Sequence, residues 1–142
     1  MSISIRILIA IFLIAHGFIH ASLSWVPTPQ PGQMRTPFFP AWWRADVDRQ
    51  WPAAKLGMPD AEVRTVGWML WLIATAACVV AGLALVFVPG ASQVWMAAGA
   101  VSAIASLILL AGYWHPWLPV GVLIDLLILA SLALRIPAPL YQ

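Results

Sequence analysis

The sequence predicts an all-α membrane protein: a bundle of four transmembrane helices in up-down-up-down order, with a long Pro- and Trp-rich cap loop between the first two. Three observations point there. Of 142 residues, 63% are hydrophobic and 8% charged, against about 25% charged in an ordinary soluble domain, and the mean hydropathy is +0.92. The 70 residues from Thr65 to Leu134 hold a single charge, Asp125. Crossing ~30 Å of hydrocarbon takes ~20 helical residues, so that stretch, broken by turn signals, divides into three spans, and a fourth lies at the start.

The first span is expected over 3–23. Arg6 stands near its start, an apolar run from Ile7 to Ile14 follows, and Pro27, Pro29 and Pro31 forbid its continuation. Basic residue, apolar stretch and small residues around Ala21 to Ser24 also fit a secretory leader, but His16 and His20 inside the apolar stretch favour a retained span. Residues 24–59 are expected to form the cap. From Ser24 to Arg64 there are seven Pro, nine of the chain's twelve charges, and the aromatics Phe38, Phe39, Trp42, Trp43 and Trp51. A structureless tether carries few aromatics, so this loop is expected to fold against the bundle and the lipid interface, with a short helix over 45–56.

Pro59 and Asp60 open the second span, over 60–88, with a ring-fixed φ and a carboxylate at the positive end of the helix dipole. Pro89-Gly90 breaks it. The third span covers 92–114. After His115-Pro116 the fourth covers 117–135, and Pro137 and Pro139 stop it. Short connections make neighbours antiparallel, and 1–142 reads as a single four-helix domain. Small residues recur at four-residue spacing, Ala74, Cys78 and Gly82 in the second span and Ala98, Ser102 and Ser106 in the third. Such stripes let membrane helices approach closely. The plainer reading is that Ala is common in apolar helices.

Composition excludes several functions. The net charge of +2 is too small and scattered for nucleic-acid binding. One cysteine, Cys78, rules out an intrachain disulfide and argues against a CxxC redox pair or a thiolate zinc site. There is no P-loop, GxSxG, GxGxxG or HExxH pattern, so hydrolase and nucleotide chemistry are unsupported, and the expectation leans away from an enzyme.

Asp125 is the most informative residue, because a carboxylate within a span costs ~2.5–3.5 kcal/mol on insertion scales and is paired, protonated or turned inward. It reads either as a proton- or cation-binding group or as a structural hydrogen bond between helices. Counted from Trp117, it lies ~12 Å deep at 1.5 Å per residue. His16 and His20, four apart, share one face of the first helix, ~10 and ~5 Å below the cap face by the same rise. His115 stands at the cap-face turn. Antiparallel threading therefore gathers all three histidines and Asp125 into one half of the membrane. Asp125 is expected to face the bundle interior, within direct or water-bridged reach of His16, His20 or a hydroxyl such as Ser106.

Three readings follow. The histidines can be interfacial packing residues. With Trp68, Trp71 and Tyr113 as walls, His16, His20, His115 and Asp125 can bind a quinone or small lipid-like molecule. They can instead hold a transition metal or haem, although an i,i+4 His pair carries no cofactor signature. Eight of nine Trp (25, 42, 43, 51, 68, 71, 114 and 117) fall on or near the cap face, as an aromatic belt does.

Orientation is nearly balanced. Five basic residues (Arg35, Arg44, Arg49, Lys55, Arg64) sit on the cap face against Arg6 and Arg135 on the other, which taken naively puts the cap in the cytoplasm. Three of the five lie mid-loop, however, whereas Arg6 and Arg135 sit directly at helix ends.

From Arg6-Ile7-Leu8 to His16-Gly17-Phe18-Ile19-His20, the first span resembles the opening helix of the DoxX family, small four-span membrane proteins with an early Arg and a His-Gly pair near the end of that helix. The resemblance implies four spans, cytoplasmic termini with the cap outside, and work near sulfur-compound oxidation at the quinone pool or in membrane complexes that handle oxidative stress. The expected function is a multi-pass cell-membrane protein, accessory or small-molecule-binding. The alternatives are a membrane oxidoreductase component, or a proton-linked carrier using Asp125, which would require a dimer. Expected partners are the lipid bilayer, a second copy or a partner membrane subunit, and no nucleic acid.

Overall fold

A computed structural model describes residues 3–24, 56–87, 92–113 and 119–136. Within them the protein is all-helical: α1 (Ile3–Ser24), α2 (Asp60–Phe87), α3 (Ser92–Gly112) and α4 (Pro119–Leu134). The cap loop up to residue 55, most of the short helix expected over 45–56, the Pro89-Gly90 turn and His115 lie outside the described residues. Windows in α1 (Ile3–His20), α2 (Thr65–Phe87) and α3 (Gln93–Gly112) are long and apolar enough to cross a membrane, and α4 is a shorter apolar helix of 16 residues.

The helix ends follow from local chemistry. α2 begins directly after Pro59, whose carbonyl accepts the Glu62 amide at 3.0 Å. α4 closes in a Schellman arrangement: the Ile136 amide donates to the Ser131 carbonyl at 3.0 Å and the Arg135 amide to the Leu132 carbonyl at 3.4 Å. The Ser131 hydroxyl adds a bond to the Ile136 carbonyl. Arg135 occupies the left-handed cap position at φ 53°, where a Cβ is strained. Arg135→Gly is accordingly expected to raise stability by roughly 0.5–1 kcal/mol. A lower thermal midpoint in detergent would contradict this.

Neighbouring helices meet through small residues. Along the α1–α2 seam, Ala10 and Ile14 lie against Gly82, Gly17 lies against Thr75, Cys78 and Val79, and His20 lies against Trp71. A Cβ added at Gly17 would stand 3.1 Å from the Thr75 carbonyl oxygen, and one at Gly82 would stand 2.8 Å from that of Ala10. Only glycine permits backbones so near. Between α2 and α3, Ser102 donates its hydroxyl proton to the Ala74 carbonyl at 2.9 Å, and Tyr113 covers Gly67. Between α3 and α4, Gly99 meets Ile128 and Leu132, and Gly121 meets Leu110.

Two apolar clusters fill the interior. One joins Ala10 and Leu13 of α1 to Cys78, Ala81, Ala84 and Leu85 of α2 and Trp95 of α3. The other packs Trp71 of α2 on Leu109 and Leu110 of α3, edged by Tyr113 and Val122. The small stripe noted in the sequence is buried almost throughout: Ala74, Cys78, Gly82, Ser102 and Ser106 have no appreciable exposure, and Ala98 is half-buried. Large apolar side chains such as Leu8, Phe18, Phe87, Val120 and Leu127 point outward instead.

Candidate functional site

Between the two apolar clusters lies a polar one. His16 and His20 stand on the face of α1 that also buries Ala10, Leu13 and Gly17, so the seam that requires glycine also turns both imidazoles inward. α4 contributes Asp125, 1% exposed, and α3 contributes Ser106, fully buried. His16 and His20 are themselves 7% and 4% exposed.

The Nε2 atoms of His16 and His20 are 3.2 Å apart. Two neutral imidazoles make that contact only if one ring carries its proton on Nε2 and the other does not. Ser106 Oγ lies 3.5 Å from the same His20 nitrogen, and Asp125 Oδ1 lies 3.9 Å from His16 Nε2. The last separation exceeds a hydrogen bond, so the carboxylate and the imidazole attract through charge alone, and only while His16 holds a second proton. One ligand atom from each of His16, His20 and Asp125 lies within 4.8 Å of the others.

Aromatic rings fix the imidazoles. Phe12 stacks on His16 at 6.0 Å with an interplanar angle of 8°, the two imidazoles meet edge to face at 4.7 Å, and Trp71 tilts over His20 at 5.1 Å. Neither oxygen of Asp125 has a hydrogen-bond partner among the described residues, nor have His20 Nδ1 and Thr75 Oγ1. Burying a carboxylate in this way costs several kcal/mol, on the order of a lost charged hydrogen bond or more. The acid is thus buried beside two imidazoles with no hydrogen bond among the described residues to offset its desolvation.

Next to the polar cluster, a cleft of about 240 Å³ opens between α1, α3 and α4. Ile9, Phe12 and Leu13 form one wall, Trp95 and Gly99 the floor, and Ile124, Leu127 and Ile128 the other wall, with Ser131 adding a polar group. Phe12 belongs to both regions, lining the cleft and stacking on His16, and Ile124 in the opposite wall immediately precedes Asp125.

Of the residues expected at the site, the structure gathers His16, His20, Asp125, Ser106 and Trp71. Tyr113 sits further along, in the Trp71–Leu109–Leu110 cluster. Trp68, expected as a wall, is 52% exposed and belongs to neither cluster. The reason is helical phase: Gly67, Trp71, Ala74, Cys78, Ala81 and Leu85 make the buried stripe of α2, with Tyr113 closing over Gly67, and Trp68 lies about 100° around the helix from Gly67. Phe12 was not singled out from sequence, although its place four residues before His16 was the available signal. No family model matches the chain, and neither a curated protein nor a solved structure matches it.

Proposed function

We propose that the protein is a multi-pass membrane protein, its four helices threading the bilayer up-down-up-down with both termini in the cytoplasm. In this reading it is a non-catalytic bundle that binds an amphipathic small molecule of the quinone or lipid-like class. The membrane part is supported by outward-facing Leu, Ile, Val and Phe on helices whose interiors hold the polar residues, the reverse of a water-facing surface. The likeness of Arg6 to His20 to the first DoxX helix belongs to the same proposal, and so do the bilayer and a partner subunit or second copy as its neighbours.

One observation carries the ligand class: a buried group of proton donors and acceptors adjoins an apolar cleft through a shared ring, Phe12. A quinone carbonyl accepts an imidazole proton, a quinol hydroxyl donates to a carboxylate, and an isoprenoid or acyl chain suits walls of Ile and Leu.

The test is a titration of chelator-treated protein in nanodiscs with a short-chain benzoquinone, read by tryptophan quenching, since Trp95 lines the cleft and Trp71 touches His20. At Gly99, which lines the cleft, a Cβ has ordinary van der Waals room, its nearest neighbour being Leu132 at 3.6 Å, so Gly99→Leu is the variant that narrows the cleft, with helical circular dichroism to check that the bundle holds. It is expected to weaken binding about tenfold, the cost of ~1.4 kcal/mol of lost contact. Equal quenching of wild type and Gly99→Leu would remove the cleft from the site.

A further inference from the structure

We infer that His16, His20 and Asp125 form a site for a divalent first-row transition-metal ion, a binding capacity beyond the small-molecule reading that draws on the same side chains. Three observations support the assignment. The first is the donor set: two imidazoles and one carboxylate, all buried, with no thiolate among the three. Imidazole with carboxylate suits zinc or ferrous iron, whereas calcium and magnesium seek mostly oxygen and soft ions seek sulfur.

The second is spacing. Metal–ligand bonds of ~2.1 Å at tetrahedral angles place neighbouring donor atoms about 3.4 Å apart. Two of the three separations, 3.2 Å between the imidazole nitrogens and 3.9 Å from His16 Nε2 to Asp125 Oδ1, straddle that value, and all three donors lie within 4.8 Å of one another. An ion therefore needs the donors to draw together by up to about 1.4 Å, within the reach of side-chain rotation at Asp125 and His20.

The third is the state of the donors themselves. A hydrogen-bonded histidine pair accounts for the two facing nitrogens and leaves both Asp125 oxygens unpartnered. A shared cation engages all three residues at once and offsets the buried negative charge. Three protein ligands leave a fourth position for a water or other small ligand, and Ser106 Oγ adds a hydroxyl to the same cluster, 3.5 Å from His20 Nε2.

The experiment uses tag-free protein in detergent, stripped with a chelator and titrated with Co²⁺ in the absence of quinone. Wild type is expected to bind one ion per chain, show the visible ligand-field absorption of a tetrahedral nitrogen–oxygen site, and lose it on addition of Zn²⁺. Asp125→Asn, which keeps the shape of the side chain, and His16→Ala are each expected to weaken binding by about 100-fold or more, since even outer-shell changes cost 10–100-fold. Helical circular dichroism confirms that the variants fold. Absence of the absorption in wild type, or equal absorption in wild type and Asp125→Asn, overturns the assignment. Because quinone binding is read separately in chelated protein, either proposal can fail while the other survives.

Discussion

Gly82→Leu is expected to separate α1 from α2 and, with that, to take the histidines out of register with Asp125. A Cβ at this position would lie 2.7 Å from Ile14 Cγ1 and 2.8 Å from the Ala10 carbonyl oxygen. The isoleucine can change rotamer, but the carbonyl belongs to the α1 backbone and moves only with the helix. Even Gly82→Ala should cost about 1–3 kcal/mol, the usual range for overpacking a filled interior, and leucine more. Cys78 supplies a direct readout. It is the chain's single cysteine, it is fully buried on the same seam, and its alkylation in mild detergent should be slow in wild type and fast in Gly82→Leu. Gly99→Ala is the matched control, because its Cβ has ordinary van der Waals room. Cys78 protection unchanged in Gly82→Leu would mean that the seam is looser than described.

The same seam shows which features the residues announce and which they do not. Helix extents were legible because prolines and the Pro59-Asp60 start mark them: expectations of 3–23, 60–88 and 92–114 meet helices Ile3–Ser24, Asp60–Phe87 and Ser92–Gly112. The fourth helix is described over Pro119–Leu134, inside the 117–135 expected. The approach of His16 to Asp125 was legible from depth arithmetic, because rise per residue is a property of any helix. The direct contact between the two Nε2 atoms was not, since shared helical phase puts two histidines on one face without saying which ring atoms meet. Trp68 and Trp71 looked equivalent as walls, yet only Trp71 reaches His20, because which side of α2 faces the bundle is set by the segments packed on it, Tyr113 just past the end of α3 among them. The cleft was illegible for the same reason. It exists between helices distant in sequence, and no local pattern reports their separation.

Asp125→Leu is expected to make the protein more stable and less able to bind. Leucine keeps the branching of aspartate and puts two methyl groups where the two oxygens stand. Those oxygens make no hydrogen bonds among the described residues, so the substitution forfeits only the 3.9 Å attraction to His16. Against that small loss stands the burial of a carboxylate at 1% exposure, a burden of ~2.5–3.5 kcal/mol on membrane-insertion scales. Replacing a whole buried ion pair with apolar groups has been neutral or stabilising by about 1–4 kcal/mol, and because Asp125 has no hydrogen-bonded partner among the described residues to strand, a gain of about 1–3 kcal/mol is expected here. Thermal unfolding in detergent measures it, while Co²⁺ absorption and quinone quenching should both disappear. If Asp125 were instead a structural lock between α1 and α4, the same variant would lose stability by a comparable amount, and binding would fall only as the bundle loosened. The sign of the stability change therefore separates an acid kept for a ligand from one kept for the fold.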